Sequence, residues 1–440
     1  MHFLFEDMKH GEFKNFIKCR DINSSRIRRF TPSPIAIEFY RHRENLMHRH
    51  HTFSTTRNKH QQYIIATGVA HAPWDWCGPD NIGLGFDKST PDKSSLFAHI
   101  GKKHRKSLKR KNAFLLIDQS HEGYQTEWLW AWFHNNCEEY GIPPTQIIYV
   151  TGNLDSRDQY KEWSKDRLTG DKILVVPYPH FESSISNILI DGIENYPTFE
   201  QQVEYKRNNI DSIKTYSALQ KRPRAHRAWF FKYLVDSNLL DCGINSMNAF
   251  EINNTHYEGK QMTLQEYNNV IDKLPILPPN TNKQGLKGFA SQDCGSYLTM
   301  FNEQIMLDTW LTVVSEASFG ESENECFLSE KTFKPIACCH PFIIAGNKGS
   351  LSRLRELGYK TFSPYINEEY DNLNTWERMP AITKELKRIN NMSSKDKLDW
   401  FCNLKPILEH NYELLKSKSS NSPSEYLKII EEYIEGRKDV

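Results

Sequence analysis

Ser329-Glu330-Lys331-Thr332, within the segment Phe327-Leu-Ser-Glu-Lys-Thr-Phe-Lys-Pro335, has the residue types and spacing best suited to chemistry. Ser329 is a good N-cap, and the helix it would start must end before Pro341. A helix N-terminus offers unpaired N–H groups and the positive end of a dipole, which suits a diphosphate. Lys331 adds a compact charge for phosphate, and the Glu330 carboxylate can accept from ribose hydroxyls. Upstream, Glu316 ends an apolar run, so its carboxylate would stand at the carboxyl edge of a sheet, where open α/β sheets bind ligands. The same four residues also make an ordinary capping sequence, so the anion reading needs support from elsewhere in the chain.

Two further segments could supply it. Lys221-Arg-Pro-Arg-Ala-His-Arg227 packs four Lys or Arg and a His into seven residues just ahead of a helical stretch. Guanidinium groups fork onto phosphate oxygens, which makes Arg222, Arg224 and Arg227 candidates, although such a run also suits a solvated linker. Asp118-Gln-Ser-His-Glu-Gly-Tyr124 follows another apolar run. Transfer to a hydroxyl benefits from a base near the acceptor, and Asp118, His121 and Glu122 are the candidates; a polar strand-to-helix loop is also common in any α/β protein.

The elements that would position these residues read as α/β. Ala113–Asp118, Gln146–Thr151 and Lys172–Pro177 are short apolar runs, with helical patterns over Tyr124–Tyr140 and Asp155–Leu168 between them. Short apolar strands alternating with helices imply a parallel sheet. After the polar stretch Gln201–Lys214 the pattern restarts. Helices are expected over Ala225–Leu240, Ser329–Cys339 and Ser350–Leu357, and strands over Gly243–Met247, Leu311–Ser315, Pro341–Ala345 and Tyr359–Phe362. Residues 373–440 read as largely charged helix, and no internal repeat is evident. With 440 residues and 12% aromatics the chain can bury a substantial core, and two domains are expected. The boundaries read as 1–215, with 1–112 a basic elaboration, then 216–385, then helices over 386–440.

Charge is unevenly spread. Residues 1–112 hold 21 Lys and Arg against 10 Asp and Glu, and ten of the 17 His; the remainder is acidic. Such a split implies either an anionic partner, nucleic acid being the commonest, or a solvated basic surface. Arg28, Arg29, Arg41, Arg43, Lys102, Lys103, Arg105 and Lys106 are the phosphate-binding candidates. Trp74 and Trp76 are the residues that could stack on a base.

Nine Cys, none in a Cys-x-x-Cys pair, argue for a reducing compartment. An acidic N-terminus does not suit a signal peptide, and no apolar run approaches a membrane span; a cytoplasmic protein with no membrane partner is expected. His134 and Cys137 stand i, i+3 without a matching pair, so no metal site is assigned. A metal-carrying Asp-x-Asp motif is also lacking, and the absence of a Walker loop and of a Gly-x-Gly-x-x-Gly fingerprint weighs against ATPase and dehydrogenase chemistry.

Phe327–Ile336 followed by His340-Pro-Phe-Ile-Ile-Ala-Gly346 resembles the donor-domain signature of fucosyltransferase-like and exostosin-like enzymes, with departures at Thr332 and His340. Together with Asp118–Tyr124, Ile148–Asn153, Arg222–Arg227 and Leu351–Phe362, it also resembles the tailed-phage, T-even-like family of DNA-modifying glycosyltransferases, hydroxymethylcytosine arabinosyltransferases among them, over about residues 113–365. The resemblance implies a GT-B fold: two Rossmann-like domains facing a cleft, with a basic N-terminal elaboration and C-terminal helices. It implies that Arg222, Arg224, Arg227, Glu316, Ser329, Glu330, Lys331 and Thr332 bind a nucleoside-diphosphate sugar, a UDP-sugar by expectation, with no tightly bound cofactor and no required metal. It implies a base among Asp118, His121 and Glu122. The implied acceptor is a 5-hydroxymethylated pyrimidine in double-stranded phage DNA, the implied sugar arabinose or glucose, and the implied compartment the host cytoplasm. The alternatives are a glycosyltransferase acting on a surface glycan or small acceptor, and a non-catalytic nucleic-acid-binding protein with a degenerate nucleotide fold.

Overall fold

A computed structural model describes residues 2–4, 52–54, 63–68, 97, 100, 102–123, 127–191, 196–220, 223–276, 303–321, 325–418 and 425–436 of the chain. The described chain divides into two compact units, the first built from residues 1–180 and 420–440 and the second largely from 181–419. Residues 181–215 therefore pack with the second unit, ahead of the boundary expected at 215, and the last helix packs with the first.

The first unit is a six-stranded parallel sheet in the order β2-β1-β3-β4-β5-β6. The strands are β1 (His2–Leu4), β2 (Thr52–Ser54), β3 (Tyr63–Gly68), β4 (Ala113–Gln119), β5 (Ile147–Thr151) and β6 (Leu174–Pro177). Side chains on a strand alternate between faces, and both faces here are apolar, so the runs read as continuous. Leu115 and Ile117 join Leu129, Phe133 and Tyr160 of α2 (Glu127–Tyr140) and α3 (Ser156–Lys165) in one core. Phe114, Leu116, Ile148 and Val150 turn the other way, onto Leu427, Ile430 and Tyr433 of α14 (Glu425–Ile434). Three strands thus come from the stretch that reads as an irregular basic elaboration. The same stretch holds α1 (Lys102–Lys109), a short helix whose Lys102, Lys103 and Lys106 are exposed while Arg105 lies over the Tyr140 ring at 5.4 Å.

The second unit opens with α4 (His180–Asp191) and α5 (Phe199–Asn208) and carries a four-stranded parallel sheet, order β10-β9-β7-β8. Its strands are β7 (Lys214–Gln220), β8 (Gly243–Met247), β9 (Thr309–Ser315) and β10 (Phe342–Ala345). The helices between and after them are α6 (Ala225–Asp236), α7 (Leu264–Ile271), α8 (Glu303–Leu307), α9 (Glu330–Ala337), α10 (Ser350–Glu356), α11 (Thr375–Asn390), α12 (Ser394–Asn403) and α13 (Lys405–Ser417). β7 and β8 pair closely because Gly243 has no Cβ; one would stand 2.4 Å from Cζ of Tyr216.

The α/β class expected from the sequence is the class observed, in two Rossmann-like units of parallel sheet. One expected strand is absent: residues 359–362 form none. The backbone N–H of Lys360 donates to Asn411 Oδ1 at 2.8 Å, and its carbonyl accepts from Asn411 Nδ2 at 2.8 Å, so a side chain on α13 satisfies the groups a neighbouring strand would have taken.

Candidate functional site

The topology of the second sheet points to one place. The chain runs from β7 outward to β8, then crosses back to lay β9 on the other side of β7. The order reverses between β7 and β9, and a crevice opens at such a switch point beyond the carboxyl ends of the strands. Gln220 ends β7 and Ser315 ends β9, and the Gln220 amide donates to Ser315 Oγ at 2.7 Å. Past β7, the basic run enters α6, with Arg224 as its N-cap residue. Arg227 Nη2 donates to the carbonyls of Ser315 and Glu316 at 3.1 and 3.0 Å. Nε2 of His226 lies 3.2 Å from the Glu316 carbonyl, and Arg224 Nη1 donates to the carbonyl of Ala317. Arg224, His226, Arg227 and Glu316, widely separated in sequence, therefore meet at the switch point. Arg222 lies outside the described residues.

Glu316 sits at the carboxyl edge of the sheet, as its place after the apolar run implies; its N–H still donates to Ala345 of β10 at 3.0 Å. Its buried carboxylate is fully engaged. Oε1 accepts from the Ser329 N–H at 3.0 Å and from the Thr332 hydroxyl at 2.7 Å, and Oε2 accepts from the Ser329 hydroxyl at 2.5 Å. Ser329 is the N-cap of α9, accepting from the Lys331 N–H. Both hydroxyls of the Ser-Glu-Lys-Thr segment are thus spent on holding the start of α9 against the end of β9. In this arrangement Glu316, Ser329 and Thr332 position the helix rather than offer free groups to a ligand.

Glu330 and Lys331 remain partly accessible, with side chains 17% and 34% exposed, and they pair with each other at 2.8 Å. Burial alone would raise the Glu330 carboxyl, but the charges of Lys331 and Lys334 outweigh it and hold the group at about 2. It is an ionised acceptor at neutral pH. Burial and the neighbouring Arg227 push His226 down to about 3, so it stays neutral and stacks on Phe319.

Two residues that the sequence reading missed secure the loop after β9. Arg378, buried in α11, donates to the carbonyls of Gly346 and Leu373 at 2.7 and 2.8 Å and lies over the Phe319 ring. Asn347 accepts from the Gly320 N–H at 2.6 Å and donates to the Glu325 carbonyl. An Arg inside an otherwise amphipathic helix was the available signal for the first.

In the first unit Asp118, His121 and Glu122 share the turn that follows β4. Asp118 is fully buried and accepts from the Ser120 N–H at 3.0 Å, a local turn bond. His121 and Glu122 are half-buried. The Gly152 N–H donates to the Glu122 carbonyl at 3.0 Å, tying this turn to the one after β5. Accessibility therefore favours Glu122 over Asp118, and over Nε2 of His121, which is itself buried, as a group that could reach a substrate. Of the residues expected to meet nucleic acid, Lys102, Lys103, Arg105 and Lys106 fall on α1; Arg28, Arg29, Arg41, Arg43, Trp74 and Trp76 lie outside the described residues. His134 bonds to Tyr160 Oη at 2.9 Å, and Cys137 is buried. Among the described residues no group of three His, Cys, Asp or Glu is placed to hold a metal, and no helix is long and apolar enough to cross a membrane.

No family model matches the chain, and no curated protein does. Among solved structures, the chain is similar to the N-terminal domain of Candida albicans trehalose-6-phosphate phosphatase, at 10% identity and a TM-score of 0.45, over 100% of this chain and 97% of that one. It is similar to an apo structure of OtsA at 10% identity and a TM-score of 0.35, covering 74% of this chain and 68% of that chain. A third likeness is to the α,α-trehalose 6-phosphate synthase of Burkholderia multivorans, at 10% identity and a TM-score of 0.34, over 76% and 72%.

Proposed function

We propose that this chain is a glycosyltransferase of the GT-B type that moves a sugar from a nucleoside-diphosphate sugar, a UDP-sugar, to the hydroxyl of a 5-hydroxymethylated pyrimidine in DNA. The observation that supports it most is the convergence of Arg224, His226, Arg227 and Glu316 at the switch point of the second sheet. In this reading the second unit takes the donor and the first takes the acceptor. Glu330 accepts from the donor ribose. Lys331, Arg224 and Arg227 neutralise the diphosphate as it departs, the charge stabilisation that such transfers need most. Glu122 removes the proton of the acceptor hydroxyl, whose oxygen bonds to the anomeric carbon while the bond from that carbon to the diphosphate oxygen breaks. The nucleoside diphosphate leaves with the electron pair. The exposed Lys102, Lys103 and Lys106 of α1, with the basic composition of residues 1–112, support a DNA acceptor through phosphate contacts. The 5-hydroxymethyl group projects into the major groove, so base flipping is compatible with the reading without being required.

The test is incubation with a panel of nucleotide sugars and DNA containing hydroxymethylcytosine, followed by mass analysis of the bases. A mass gain of one pentose or hexose on the modified base is expected. Turnover only on a glycan or a small acceptor would overturn the DNA assignment and keep the transferase. Salt-sensitive DNA binding with no turnover on any acceptor would leave a binding protein.

A further inference from the structure

Three helices of the second unit begin just beyond the carboxyl ends of its strands, and two of those N-termini already hold an anion from the chain itself. The start of α9 is held by Glu316. The start of α10 is held by the buried Asp371, which accepts from the N–H groups of Leu351 and Ser352 at 3.1 and 3.3 Å. The third, α6, has no capping side-chain bond and no acidic residue in its first turn, which instead carries His226 and Arg227 behind Arg224. A bare, basic N-terminus attracts an external anion.

Gln220 ends β7, the strand that leads into α6, and is tied to Ser315, whose carbonyl accepts from Arg227 of that helix. The Gln220 side chain is 2% exposed, one amide atom is bonded to Ser315 Oγ, and Oε1 has no partner. A buried amide atom left without a partner costs free energy unless something else supplies one. A hydroxyl both donates and accepts, so the amide can turn over and keep Ser315. Turned one way it offers a carbonyl, and turned the other way an NH2. The cations around it, Arg227 bonded to the same Ser315 and Arg224 at the helix cap, select an anionic ligand and therefore the NH2.

Resting on the donor-site reading above, we infer that Gln220 is a further donor-binding residue, whose amide donates to a diphosphate oxygen seated at the N-terminus of α6 between β7 and β9. The residue is separate from the Ser-Glu-Lys-Thr segment and from the basic run. It seats the diphosphate on the start of α6, with the Lys331 ammonium rather than the N–H groups of α9 as the contribution from that helix, whose start already holds the Glu316 carboxylate.

The experiment is calorimetric titration of UDP and of inorganic pyrophosphate into the full chain and into Gln220→Leu, Gln220→Glu and Ser315→Ala. Gln220→Leu is expected to weaken both ligands about tenfold, the worth of one hydrogen bond to a charged group. Gln220→Glu is expected to weaken them further by repulsion, and Ser315→Ala to lose less than either. Should Gln220→Leu fail to fold, as judged by its melting transition, Gln220→Glu carries the test with the same shape. UDP bound as tightly by Gln220→Leu or Gln220→Glu as by the wild type would overturn the assignment while leaving the donor site standing. Ser315→Ala as weak as Gln220→Leu would make Gln220 a structural tie to Ser315 and also overturn it. No binding of UDP, GDP or ADP by the wild type would remove the donor reading itself, and this inference with it.

Discussion

The carboxylate of Glu316 and the cap residue Ser329 are joined by two hydrogen bonds, 3.0 Å from the backbone N–H and 2.5 Å from the hydroxyl. Thirteen positions apart in sequence, they lock the start of α9 to the end of β9. The lock explains how a helix carrying Glu330 and Lys331 is held at the edge of the second sheet.

Removing the lock should cost stability and function together. Glu316→Ala leaves the Ser329 and Thr332 donors buried without an acceptor, a loss of roughly 3 kcal/mol. Urea denaturation should show a lower midpoint, and donor affinity should fall because Lys331 is no longer placed. An unchanged midpoint would show that the carboxylate contributes little to the fold.

Lys331→Ala separates the two effects. The ammonium is one-third exposed and its pair with Glu330 is near the surface, so the stability change should stay below about 1 kcal/mol. Affinity for a nucleoside diphosphate should fall by about tenfold or more if Lys331 faces the phosphates. Near-normal affinity, measured by calorimetry, would take Lys331 out of the site.

Glu122→Gln should keep donor binding and lose transfer, measured as single-turnover product formation. The half-buried Glu122 is the accessible carboxylate of its turn, whereas Asp118 is fully buried. Full activity in Glu122→Gln would move the base to His121 or Asp118.

Lys206 should contribute stability that grows with pH across the mildly alkaline range. Lys206 is buried, donates to the carbonyls of Met306 and Leu307 at 2.8 and 3.0 Å, and is pushed down by that burial to about 7. Its unfolded value is near 10.5, so between pH 7 and 10.5 the unfolded chain binds more protons and stability grows with pH, by at most about 1.4 kcal/mol per unit. The gain is complete above 10.5 and lost as pH falls to 7. His226, lowered to about 3 from 6.5, has the same sign in acid: its contribution is present above 6.5 and lost as pH falls through 3. Denaturation midpoints at pH 7.5 and 9.5 for wild type and Lys206→Met test the first window. A parallel pH response in both proteins would contradict it.

Much of the frame was legible because buried parallel strands announce themselves as apolar runs. β4, β5, β6, β8, β9 and β10 are present within two residues at each end of the expected spans; α9 starts directly after its Ser329 cap, and α6 starts at the expected Ala225. β7 was hidden by its polarity. Its Thr215 bonds to Asn390 at 2.6 Å and its Ser217 to Thr312 at 2.9 Å, so partners on α11 and β9 satisfy groups that look solvent-facing in the sequence. Because β7 went unread, so did the switch point, and with it Gln220. Glu316 was legible as an edge carboxylate, but not that Ser329 and Thr332 would consume it; that contact joins the end of β9 to the start of α9, which local spacing does not encode.

The crevice between β7 and β9 is the proposed seat of the nucleoside diphosphate. Amide hydrogen exchange, with and without saturating UDP and with GDP and ADP as alternatives, measures it most directly. Slowed exchange is expected at the amides of residues 224–227 and of the loop leading into α9. Protection confined to the first unit, or none with any of the three nucleotides, would contradict it.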